Sequence, residues 1–141
     1  MFEPTAKSAI EYARENRLDE WVHEFLCGEG KNRKLSDAIK SQKIVLLTPR
    51  EMSLNLLKRC VGSEPDMEYR LTNEEMGWFW NQVKAQAKRF KDENWDMPPL
   101  IASEEKFNGM YLLRDGNHRL EALKKLGVNK YWVILGRSSR S

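Results

Sequence analysis

Five consecutive positions, Asp115-Gly116-Asn117-His118-Arg119, bring together a carboxylate, a carboxamide, an imidazole and a guanidinium. An imidazole exchanges protons near neutral pH, and a guanidinium forks onto phosphate or carboxylate oxygens. The carboxylate can hold a metal ion or orient the histidine. Their neighbours say how they are positioned. Met110 to Leu113 is mostly apolar and reads as a strand, Asp115-Gly116-Asn117 is turn chemistry, and Leu120, Ala122, Leu123 and Leu126 repeat at helical spacing before Gly127 closes the helix. A strand therefore delivers these side chains to the first turn of a short helix. That turn has unpaired N–H groups and a partial positive charge, which suits an anion. The same positive end should depress the His118 pKa and keep its ring neutral. Simpler roles stand beside these: Asp115 as N-cap, Gly116 and Asn117 as backbone geometry, Arg119 in an ion pair with Glu121 or a neighbouring strand.

The elements around this turn are read from period and punctuation. Thr5 caps a helical stretch over 5–27 that Asn16 breaks in two, with Leu18-Asp19 opening the second helix. Gly28 to Asn32 is a loop that ends this helix, and its Gly-x-Gly lacks the Gly-Lys-Ser/Thr of a phosphate loop. Leu35 to Ile39 is a helical turn, Ile44 to Leu47 a buried strand, and Glu51 to Cys60 a helix after Pro49. The clearest helix runs from Thr72 to Phe90, capped at Thr72 or Asn73, with Met76, Phe79, Trp80, Val83, Ala87 and Phe90 on its apolar face. Trp78 and Trp80 fall on different faces, so at least one ring is expected in the core, as are Trp95 and Trp132. His23 lies on or beside an apolar helix face and reads as a hydrogen-bonded core residue.

The stretch Leu112 to Gly127 resembles the signature of the ParB/sulfiredoxin superfamily, in which a strand–turn–helix of Gly-x-x-Arg or Asp-Gly-His-His-Arg character binds nucleotide phosphates. The resemblance extends to Pro98-Pro99-Leu100-Ile101 as the preceding strand, Asn108-Gly109 as a hairpin turn and Tyr131 to Ile134 as the following strand. Lys43 to Met52 is similar to the family's opening strand, which ends in Pro and leads into a helix. Sulfiredoxin chemistry needs a cysteine just before the His-Arg pair, where this chain has Asn117, so reductase activity is not expected. Partition proteins carry Gly-Glu-Arg-Arg and continue into a helix-turn-helix; fourteen residues follow Gly127 here, and a partition role is not expected. The free-serine kinase branch is matched at Asp115, Gly116, His118 and Arg119, with Asn117 replacing its first histidine.

What the resemblance implies is an α+β fold: a small mixed β-sheet flanked by helices. Residues 1–141 form one domain, with an N-terminal helical layer over 1–40 and a core over 43–136 that carries a helical insertion over 72–91. It implies that Asp115, Gly116, Asn117, His118 and Arg119 hold the phosphates of an ATP- or CTP-type nucleotide with Mg²⁺, Asp115 touching the metal. Hydrolysis or phosphoryl transfer would then draw on His118, Asp115 and Glu51, the last as general base just after the first strand. Read without the family, Glu51 is a first-turn helix carboxylate. His118→Ala and Arg119→Ala are expected to weaken nucleotide binding without unfolding the chain. A non-enzymatic module that engages a protein or nucleic acid through the 72–90 helix is the alternative, and a nuclease the third reading.

Composition bounds these readings. The chain has 141 residues, 40% hydrophobic and 32% charged, and a net charge of +3, as expected of a globular protein large enough to bury a core. The first seventy residues balance twelve basic against twelve acidic side chains, so the excess lies in the second half, partly at Arg137 and Arg140. No apolar run approaches the ~20 residues that cross a bilayer. Met1 to Ala9 lacks a secretory pattern, and Cys27 and Cys60 fit neither a disulfide framework nor a metal-ligand spacing. A cytoplasmic protein without membrane association is expected; the oligomeric state is not legible.

Overall fold

In the computed structural model, which describes residues 1–138, a mixed β-sheet is flanked by helices. Arg140 lies outside the described residues. The Thr5 side chain accepts from the Ser8 N–H and starts α1 (Ala6–Arg14). Asn16, in the left-handed region at φ 57°, breaks the helix as its sequence predicts, and α2 (Leu18–Cys27) follows. Asn32 accepts from the Leu35 N–H to cap α3 (Arg33–Ser41), which is longer than the single turn expected. Helix α4 (Asn73–Asp92) has a full capping box: Thr72 accepts from the Glu75 N–H while the Glu75 side chain accepts from the Thr72 N–H.

The remaining strands are β1 (Val45–Leu46), β2 (Arg50–Ser53), β3 (Leu57–Lys58), β4 (Val61–Gly62), β5 (Tyr69–Arg70), β6 (Leu100–Phe107), β7 (Met110–Asp115) and β8 (Lys130–Arg137), with α5 (Asn117–Lys125) between the last two. The main sheet has the order β1-β8-β6-β7-β3, and β2 also pairs with β8. β6 runs antiparallel to β7 and parallel to β8, while β4 and β5 form a separate parallel pair. The central strands β6 and β8 are covered on both sides. Ile101 and Ile134 pack against α1, α2 and α3. Leu100, Ala102, Leu113, Val133 and Leu135 face Leu120 and Leu123 of α5. That two-sided burial is why Leu100-Ile101-Ala102 and Val133-Ile134-Leu135 read as unbroken apolar runs. A third cluster joins Met76, Phe79, Val83 and Ala87 of α4 to Ala122 of α5.

Two expectations fail in the segment after α3. Glu51 to Cys60 is not a helix: Arg50–Ser53 pairs antiparallel with β8, opposing Val133, Trp132, Tyr131 and Lys130, and Leu54–Leu56 is a single tight 3₁₀ turn. Met52, Leu54 and Leu57 fit helical and strand periods alike, and pairing with β8 decides between them by alternating Met52 and Leu54 into the core. Ile44 to Leu47 is not a buried strand either. The strand is two residues long with one further bond from the Leu47 N–H to the Leu135 carbonyl, it lies at the sheet edge, and Val45 is 51% exposed. No helix of the described residues is long and apolar enough to cross a membrane.

Candidate functional site

The β6–β7 hairpin closes through Asn108 (φ 52°) and Gly109 (φ 79°), both left-handed, which matches the twist of two tightly joined strands. The ladder then slips. Ala102 opposes Leu113 but Ile101 opposes Asp115, so Arg114 is an extra residue in β7. The slip sits at the end of β7, where Arg114 and Asp115 both line one cavity. Gly116 follows at φ 99° and opens α5 without any side-chain cap. The positive φ favours glycine, and a Cβ there would stand 2.7 Å from Leu100 Cδ2, so a side chain would also have to displace that buried methyl. Asp115 is thus not the N-cap of α5, because it ends β7 one residue too early.

Asp115 is buried between two donors: Asn32 Nδ2 donates to Oδ1 at 2.8 Å, and the Arg119 guanidinium lies 3.3 Å from Oδ2. Arg119 is itself buried, donating to the Pro99 carbonyl at 2.9 Å and standing 5.4 Å from the Phe25 ring, with its Nε buried and unpartnered. Its ion pair is therefore with Asp115; Glu121 is taken by Arg59 at 3.2 Å. Asn117 Oδ1 accepts from the Cys60 N–H at 3.1 Å. The His118 ring is half-buried against Phe79, centroids 4.5 Å apart. Burial first, and then the Arg119 charge, lower its pKa from the ordinary 6.5, opposed by Asp115. The direction matches the sequence expectation, but packing on α4 is the leading cause.

The cavity has a volume of about 570 Å³ and lies between α3, β1, the β4–β5 pair and the ends of β6 and β7. It brings Asp115 and Asn117 together with Arg114, Lys34, Asn32 and Tyr69. Gly116, His118 and Arg119 do not line it, and neither does Glu51, which is exposed on β2 opposite Trp132. Arg114 is held on the wall by Ser103 Oγ and Glu68 Oε2, each at 2.8 Å. Cys60 also lines the cavity, its thiol pushed up by burial.

Sequence reasoning did not single out Arg114, Lys34, Tyr69 or Cys60. Of these only Arg114 adjoined the motif, and no local pattern announces a bulge. His23 is hydrogen-bonded as expected, with Nδ1 2.7 Å from the buried Ser36 Oγ, but it is only partly buried and not a core residue. Neither tryptophan of α4 is in the core: Trp78 is 61% and Trp80 39% exposed, and the buried ring between them is Phe79. Trp95 and Trp132 are half-buried.

A divalent cation does not fit the donors at Asp115. That carboxylate is already balanced by a guanidinium and accepts an amide hydrogen. No group of three or more His, Cys, Asp or Glu side chains converges anywhere among the described residues.

No protein-family model matches the chain, and no curated protein matches it. Among solved structures, the chain is similar to a conserved hypothetical protein from Pyrococcus furiosus, at 16% identity and a TM-score of 0.47 over 62% of this chain and 31% of that one. It is also similar to a free serine kinase in complex with AMP (18%, 0.45, 62% and 30%). A further match is sulfiredoxin from Arabidopsis thaliana (22%, 0.43, 63% and 84%). The matched region thus spans less than a third of the first two proteins. All three likenesses are at low identity, partial coverage and TM-scores below 0.5.

Proposed function

We propose that the protein binds a nucleotide-type ligand in the cavity between α3 and the start of α5. The observation that carries this reading is the lining. A space of about 570 Å³ places Lys34, and Arg114 in its ion pair with Glu68, beside the uncapped start of a nine-residue helix at Asn117, with Tyr69, 61% exposed, on the lining. Pockets of roughly 300–1,000 Å³ with a few convergent polar groups are what small ligands occupy. Phosphate oxygens fit the Asn117 end, where free N–H groups and the helix dipole favour negative charge. A flat base fits Tyr69.

In this reading Asn117 meets the ligand directly, Asp115 braces the turn against Asn32 at the start of α3, and Gly116 sets the turn. Arg119 is a positioning residue, fixing the Asp115 carboxylate from behind. His118 anchors the first turn of α5 on Phe79. No step through a bound metal is assigned.

Isothermal titration calorimetry with ATP, ADP, AMP and CTP tests the reading. Saturable binding is expected, and Arg114→Ala and Lys34→Ala should each weaken it about 5- to 20-fold, the worth of roughly 1–2 kcal/mol per charged contact. No heat with any of the four nucleotides, on protein with a cooperative thermal transition, removes the proposal.

A further inference from the structure

A second concavity, of about 390 Å³, lies between α4 and α5 and shares no residue with the first. Trp80 and Lys84 of α4 form one side, Lys124 and Lys125 of α5 the other, with Glu121 between them. Glu121 is partly offset by Arg59, which it shares with Glu64 and whose Nε stands 3.2 Å from its carboxylate, leaving the three lysines in excess. Among the described residues no carboxylate lies within ion-pair distance of Lys84, Lys124 or Lys125. The basic character continues along α4. From Met76 to Lys91 this helix carries Lys84, Lys88, Arg89 and Lys91 and no acidic residue. Trp80, Lys84 and Lys88 recur every fourth residue and so share one stripe. Trp80 stands perpendicular to Phe79 with ring centroids 5.2 Å apart and has the Arg59 guanidinium 5.8 Å from its centroid, yet leaves 39% of its surface to solvent.

We propose that this groove binds single-stranded nucleic acid, its phosphates crossing Lys84, Lys124 and Lys125 and a base stacking on Trp80. Three unpaired ammonium groups around a concavity demand an anionic partner. The exposed indole beside them selects among anions: stacking needs a planar face, which an unpaired base offers and a duplex conceals. An acidic peptide would satisfy the lysines but would leave the ring unused. This inference stands independently of the nucleotide cavity.

Fluorescence anisotropy with a labelled twelve-nucleotide oligothymidylate or oligouridylate, at low and at physiological salt, is the test. Saturable binding is expected at low salt. It should weaken with a log–log salt slope near −2, about −0.7 for each of three neutralised phosphates. Replacing Lys84, Lys124 and Lys125 together with Gln should weaken binding tenfold or more while leaving the thermal transition in place. Trp80→Ala should weaken it about fivefold or more, and Trp80→Phe should recover most of that loss. The inference is overturned by no anisotropy change at low salt, or by a lysine triple variant that binds like the parent. Polyglutamate of equal length binding as tightly, with Trp80→Ala neutral, overturns it in favour of an acidic protein partner.

Discussion

Gly116 carries two constraints at one atom. With φ at 99° and Leu100 Cδ2 2.7 Å from where a Cβ would sit, Gly116→Ala should lower stability. The cost should be about 1–3 kcal/mol, read as a drop in Tm by circular dichroism. Arg119 departs from its sequence expectation at the same scale. Because it is buried on Asp115, Arg119→Ala strands a buried carboxylate and should cost on the order of 3 kcal/mol or more of stability, so any weakening of ligand binding follows from the fold. Denaturant titration measures this directly. His118 and His23 both have pKa values lowered from 6.5, chiefly by burial. The unfolded chain therefore binds more protons than the folded one below pH 6.5. Stability is full above that pH and falls as pH drops toward the depressed values. Denaturation midpoints compared at about pH 7.5 and about pH 5.5 should show the decline, and His118→Gln should flatten it.

At the scale of elements, the capping box of α4 makes a separate forecast. Thr72→Ala should cost about 1 kcal/mol, since it frees the Glu75 N–H and the reciprocal contact loses its geometry. Thermal melts measure it. That helix was legible because cap, acidic first turn and apolar spacing agree within twenty residues. The Asn16 break, the Asn108-Gly109 hairpin and the Gly127 stop were legible for a similar reason: each is local backbone chemistry. The segment from Arg50 to Lys58 was not. Its apolar positions suit two periods, and the choice is made by β8, some eighty residues later in the chain. The α4 tryptophans were misread because spacing alone does not say which of three adjacent rings meets α5; Phe79 does.

At the scale of the whole molecule, the site was half legible. The turn, its glycine and the helix that follows stand in the sequence, but the cavity is assembled from α3, β1, the β4–β5 pair and the bulged end of β7. Long-range packing therefore decided which motif residues reach it. If the nucleotide reading holds, ligand at a hundredfold excess over its Kd should stabilise the fold by about 2.7 kcal/mol, seen as a raised Tm that the parent shows and Arg114→Ala shows less. One side chain ties the two halves of this assembly. Asn32 spends its oxygen on the Leu35 N–H and its nitrogen on Asp115, 83 positions away. Exchanging NH₂ for O, as in Asn32→Asp, would preserve the helix start yet set two acids face to face at 2.8 Å separation. One of them must then take up a proton or swing aside, and the N-terminal layer would become a pH-sensitive hinge over the site it now braces.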